Sequence, residues 1–161
     1  MELKTIKRIM NRIELQETKL IGLALKGKTS NENEQAATDC GNLWQEFEKG
    51  AYAELIPGKL SDEIIAVYHE YEGDHTKPYS YFIGCRVSAD TAVPEGLQSL
   101  SLAKGEYRKI IATGKMPDCV ANSWREIWSS NMQRGYRTDF EVYGEKSKDW
   151  NNAEVEIYVS I

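Results

Sequence analysis

Histidine and cysteine are scarce in this sequence, with 2 His and 3 Cys among 161 residues. The cysteines stand at 40, 85 and 119 and form no Cys-x-x-Cys pair, so neither a zinc framework nor a disulfide scaffold is expected. No metal-ligand set, cofactor motif or nucleophile with an adjacent base is legible. The odd cysteine count and the lack of a signal-peptide pattern lead us to expect a reducing, cytoplasmic setting. No apolar run nears the roughly 18 residues that cross a bilayer, so no membrane partner is expected. Positive charge is not in excess either: 20 Lys and Arg face 25 Asp and Glu, a net charge of −5. That balance disfavours direct contact with nucleic acid and suits cationic partners, although it also serves plain solubility. Residues 1–11 are basic and carry Leu3, Ile6, Ile9 and Met10. They read as an N-terminal arm, too short for a helix-turn-helix module.

Aromatic residues are plentiful: nine Tyr, four Trp and three Phe. Together with a hydrophobic fraction of 41% they suffice for one domain, or for two fused half-domains, spanning about 12–161. Along the chain, residues 13–26 read as a strand. Asn31 and Glu34 have capping-box spacing for a helix that runs to about Gly50, with Leu43, Trp44 and Phe47 on one face. Pro57 and Gly58 break the pattern. Residues 63–71 and 80–87 then read as a hairpin, joined by a turn containing Gly73, Asp74 and Pro78.

The same order follows again. Residues 101–113 read as a strand. A helix begins at Pro117 and Asp118, buries Val120, Trp124, Ile127 and Trp128, and stops by Gly135. Strands over 139–143 and 154–161 close the chain. The recurrence extends to residues: Asp39-Cys40 and Trp44 in the first helix answer Asp118-Cys119 and Trp124 in the second. Ala66-Val67-Tyr68 answers Glu141-Val142-Tyr143, and Phe82-Ile83-Gly84-Cys85 answers Glu156-Ile157-Tyr158-Val159. Three blocks in one order indicate a duplicated half-domain, so the expected fold is α+β, with tandem β-α-β-β repeats about a pseudo-twofold axis.

Strand side chains alternate between faces. Val155, Ile157 and Val159 should lie under the helix. If Phe140 and Val142 do the same, Glu141, Tyr143, Glu156 and Tyr158 share the face away from it. The matching set in the first repeat is Ala66, Tyr68, Phe82 and Gly84. Two such faces, opposed, make an aromatic cleft in which Ala66 and Gly84 leave room and Glu141 and Glu156 supply negative charge. A carboxylate there is costly unless paired, and a planar organic cation offsets that cost through charge and cation–π contact. Glu141 on an exposed strand, paired with an arginine such as Arg137, is the alternative. The tryptophans also suit plain core positions.

The runs Tyr68-His69-Glu70-Tyr71-Glu72-Gly73-Asp74-His75 and Pro78-Tyr79-Ser80-Tyr81-Phe82-Ile83-Gly84 resemble the first repeat of GyrI-like domains. Asp139-Phe140-Glu141-Val142-Tyr143 and Glu154-Val155-Glu156-Ile157-Tyr158-Val159 resemble their closing hairpin. This is also the effector-binding domain fused to AraC-type and MerR-type activators. The resemblance implies a central pocket for amphipathic, often cationic, small molecules. It implies Glu141 as the charge anchor, with Tyr68, Tyr79, Tyr81, Trp124 and Tyr143 stacking on the ligand; Phe82 and Glu156 join this set from the strand alternation. The binding would serve drug sensing or sequestration, either alone or through a transcription regulator or another protein partner. Two rivals remain: a hydrolase of electrophilic cytotoxins, with a glutamate and tyrosine orienting water, and a protein-interaction module of the topoisomerase-inhibitor kind.

Overall fold

In the computed structural model, which describes residues 11–161, each long strand expected at the start of a repeat is broken in two. The first repeat runs β1 (Asn11–Leu15), β2 (Thr18–Ala24), α1 (Gln35–Lys49), a short α2 (Tyr52–Leu55), β3 (Ile64–His69) and β4 (Ser80–Val87). The second runs β5 (Gln98–Leu102), β6 (Gly105–Gly114), α3 (Asp118–Ser129), β7 (Thr138–Tyr143) and β8 (Ala153–Ser160). The expected arm over 1–11 lies, Asn11 apart, outside the described residues.

All eight strands form one antiparallel sheet in the order β1-β6-β8-β7-β3-β4-β2-β5. Exchanging each strand for its counterpart in the other repeat reproduces this order reversed, as a pseudo-twofold axis between β3 and β7 requires. The breaks have a topological use. β1 leaves its own repeat to pair with β6, and β5 leaves its own to pair with β2. Each half therefore caps the edge of the other.

The sheet is strongly curled. In a flat sheet β5 and β6 would lie about 29 Å apart, yet Ala103 and Lys104 alone join them, a reach of about 11 Å. One face closes on itself. There Leu20, Ile65, Val67, Phe82, Leu102, Tyr107, Phe140, Val142 and Tyr158 form a single buried cluster drawn from both ends of the sheet. The other face carries the helices in two separate clusters. α1 covers Ile21, Leu23, Ala66, Tyr81 and Ile83 with Leu43 and Phe47. α3 covers Ile110, Val155, Ile157 and Val159 with Val120, Trp124 and Ile127.

The register corrects the expected faces. Directly paired residues share a face, and Glu141 pairs with Ile157 and with Ala66, so Glu141 and Tyr143 lie on the helix-bearing face. Tyr81, paired with Tyr68, lies there too. Phe82 pairs with Val67, and Glu156 pairs with Val142, so both belong to the opposite face. Gly84 leaves no room in a cleft: a Cβ there would stand 2.4 Å from the Ile21 carbonyl oxygen on β2. The capping box is also absent. Asn31 makes no side-chain cap; its amide donates to the His75 carbonyl at 2.8 Å, and its Oδ1 accepts from the Tyr79 hydroxyl at 2.7 Å.

Candidate functional site

The pseudo-twofold axis passes between Ala66 and Glu141, paired residues that are also each other's counterparts in the two repeats. Two glutamates here would repel, and two alanines would leave no charge. The chain places a single carboxylate at the axis, with a methyl group as its neighbour.

Glu141 is 1% exposed. The Tyr68 hydroxyl donates to its Oε2 at 2.7 Å and the Tyr143 hydroxyl to its Oε1 at 2.6 Å. These two tyrosines are again counterparts, one from each repeat. A third donor, Trp124 Nε1 on α3, reaches Oε2 at 2.6 Å. Its counterpart Trp44 donates instead to the Tyr81 hydroxyl at 2.8 Å and sets its ring edge-on to Tyr143, centroids 4.9 Å apart. Burial raises the Glu141 pKa above the usual carboxylate range, against the lowering effect of the hydrogen bonds from Tyr143, Trp124 and Tyr68. Burial, and then the Glu141 charge, push both tyrosine hydroxyls well up, so both stay protonated donors. All three donors are neutral, and no Lys or Arg among the described residues pairs with this carboxylate. Arg137, the alternative partner, donates to the Ile161 carbonyl.

Above this centre, between α1 and α3, opens a cavity of about 320 Å³. Tyr68, Tyr71, Tyr79, Trp124 and Trp128 line it, with Ala36, Ala37 and Cys40 on the α1 side. Tyr68 is the hub of the aromatic wall: its ring centroid lies 5.0 Å from Tyr81, 5.1 Å from Trp124 and 5.7 Å from Tyr79. Glu141, Tyr81 and Tyr143 stand one layer deeper. His75 stacks on Trp128 across the rim at 5.3 Å, nearly parallel.

A second buried carboxylate, Asp139, is two residues before Glu141 on the same face and is 0% exposed. It is fully engaged: Oδ2 accepts from Arg134 Nη2 and the Tyr71 hydroxyl, both at 2.6 Å, and Oδ1 accepts from the Ser160 backbone and hydroxyl. Burial works against the Arg134 charge, but Asp139 outweighs it and holds the guanidinium protonated.

Of the expected site residues, Glu141, Tyr68, Tyr79, Tyr81, Tyr143 and Trp124 therefore converge. Phe82 and Glu156 do not; Glu156 pairs with Lys109 at 3.2 Å and accepts from Tyr158 at 2.9 Å on the opposite face. Sequence reasoning missed Tyr71, Trp128, His75 and Arg134. Trp128 was available from its i+4 spacing to Trp124, which puts it on the same side of α3. Tyr71 was hidden because Glu70, at φ 53°, ends the strand alternation. Nothing local to Arg134 signals that it turns inward. Among the described residues no group of His, Cys, Asp and Glu is placed to hold a metal ion, and no helix is long and apolar enough to cross a membrane.

The fold has parallels among known proteins. The integron cassette protein from the mobile metagenome of Vibrio cholerae is 28% identical, with TM-score 0.67 over 93% of this chain and 94% of that one. SAV2435, solved bound to tetraphenylphosphonium, is 20% identical, with TM-score 0.72 over 93% of this chain and 92% of its own. The transcriptional-regulator-type protein YobU of Bacillus subtilis is 28% identical over 123 residues, 74% of this chain and 77% of its own length. The family model of integron-associated effector binding proteins matches residues 13–161, and the chain belongs to that family, Cass2.

Proposed function

We propose that residues 12–161 act as a receptor for amphipathic, cationic small molecules, held in the cavity between α1 and α3 and charge-compensated by Glu141. The observation that carries this reading is a carboxylate 1% exposed, hydrogen-bonded among the described residues only by neutral donors, beneath an aromatic cavity. A buried charge without a counterion costs several kcal/mol. A cation resting on the Tyr68 and Trp124 rings, roughly 6 Å from the carboxylate, gains about 3 kcal/mol at an effective dielectric near 20. Cation–π contact adds about 0.5–2 kcal/mol. The cavity volume, about 320 Å³, lies at the small end of the ~300–1,000 Å³ typical of small-molecule sites. The phosphonium held by SAV2435, a protein of the same fold, is a lipophilic cation of the expected kind. Tyr68, Tyr79, Trp124, Tyr71 and Trp128 supply the contact surface, while Tyr81 and Tyr143 position the others from behind. Binding serves sensing or sequestration, with any transcriptional output delivered through a partner.

Titration of tryptophan fluorescence with tetraphenylphosphonium, and with neutral triphenylphosphine oxide, tests this. Glu141→Gln keeps an acceptor oxygen for Tyr68 and Trp124, and its amide can donate to Tyr143. The variant should bind the cation at least tenfold more weakly and the neutral probe within about threefold of wild type, tenfold being 1.4 kcal/mol. Equal losses for both probes would remove the charge anchor.

A further inference from the structure

The cavity wall holds one more polar group that the cation site does not use. Arg134 lines the cavity, and its side chain is only 4% exposed. One nitrogen, Nη2, is committed to Asp139. The other two, Nε and Nη1, are buried and have no hydrogen-bond partner among the described residues. The guanidinium is held in place by rings: its Cζ lies 4.3 Å from the Tyr136 centroid, 5.7 Å from Trp124 and 6.0 Å from Tyr71. An arginine serving only to neutralise Asp139 has no need of a cavity wall, and each orphaned buried donor costs about 1–3 kcal/mol.

We propose that Arg134 is a second recognition point of this cavity, taking an acceptor oxygen of the ligand, with a carboxylate preferred. The inference rests on the cationic reading of the Glu141 end. Trp124 divides the two ends: its Nε1 faces Glu141, and its ring faces the Arg134 cation. The cavity is thus polarised, with negative charge behind one part of its wall and a guanidinium with spare donors in another. A ligand with a cationic centre and a separate carboxylate satisfies both ends, whereas a simple lipophilic cation satisfies only one. Hydrogen bonds to charged partners are the strong ones, so an anionic oxygen gains most at Nε and Nη1.

Two probes of equal length separate the alternatives: pentyltriphenylphosphonium and (4-carboxybutyl)triphenylphosphonium, titrated at neutral pH. The wild type should favour the carboxylated probe by about tenfold. Arg134→Lys keeps one charge for Asp139 but gives up the spare donors. It should bind the pentyl probe within about threefold of wild type and lose the preference. If that variant does not fold, the Nε–H resonance of Arg134 in the wild type decides: it should shift with the carboxylated probe and stay in place with the pentyl probe. Equal wild-type affinities, a preference that survives in folded Arg134→Lys, or an unmoved resonance overturns the proposal while leaving the cationic reading intact. Failure of both phosphonium probes to bind overturns both readings together.

Discussion

A carboxylate that loses water on folding resists ionisation, and at Glu141 three neutral donors offset only part of that loss. The sign of the consequence is definite. Because the folded pKa lies above the unfolded one, the folded chain holds this proton over a window in which the unfolded chain has released it. The stability from that proton is full below the unfolded value, near 4.3, and is lost as pH rises through the folded value. Glu141→Gln carries no such proton. Its melting temperature should therefore gain on that of the wild type as pH rises from about 4, since all other titrating groups cancel in the difference. A difference that stays flat with pH would mean that Glu141 ionises in the fold as it does in water. Cation affinity should rise over the same range in the wild type and not in the variant, because the proposed anchor acts in its ionised form. The resemblance to GyrI-like domains singled out the identity of this residue. It also grouped Tyr68, Trp124 and Tyr143 with it as stacking residues, but not as donors to the carboxylate, because Trp124 comes from a helix 17 residues earlier in the chain and Tyr68 from the other repeat.

At the scale of the elements, the strands and helices were readable and their facing was not. β4 and β7 run as expected to within a residue, since β-branched and aromatic runs between turn residues specify strands well. The error lay in taking Phe140 and Val142 as the helix-side face. Both faces of β7 are buried, one under α3 and one in the closed cluster of the curled sheet. β7 alternates Asp139 and Glu141 with Phe140 and Val142, and that pattern misleads, because here it is the two acids that are buried towards the helices; a wrong choice inverts every side chain. The breaks at Gln16-Glu17 and Ala103-Lys104 were missed for a related reason: strand-forming residues continue on both sides of them. One sequence feature does report packing. Gly22 and Gly84 are paired across β2 and β4, and a Cβ on Gly22 would fall 1.9 Å from the Ile83 carbonyl oxygen. Gly22→Ala should thus lower stability by about 1–3 kcal/mol, the usual cost of overpacking, readable as a lower urea midpoint with unchanged slope. A midpoint equal to wild type would mean the two strands separate freely there.

At the scale of the whole molecule, the palindromic strand order ties the two repeats into one folding unit. Neither half can complete its own sheet: β2 needs β5 from the second repeat, and β6 needs β1 from the first. The axis pair β3 and β7 joins the halves through backbone hydrogen bonds, and through Tyr68 donating across the axis to Glu141. Separating the repeats would expose sheet edges at β2, β3, β6 and β7 and strip the buried carboxylate of a donor, changes that are unfavourable together. Denaturant unfolding should therefore follow a single transition. Tryptophan fluorescence, which senses α1 and α3, and circular dichroism, which senses the sheet, should give coincident midpoints. A lipophilic cation should move both midpoints upward together, because it binds only the folded form. The proposed site draws Tyr68 and Tyr79 from one repeat and Trp124 and Glu141 from the other, so a half that unfolded alone would abolish binding before the second half melted. Two resolved transitions, with ligand raising only one of them, would contradict this coupling and would make each β-α-β-β unit an independent domain.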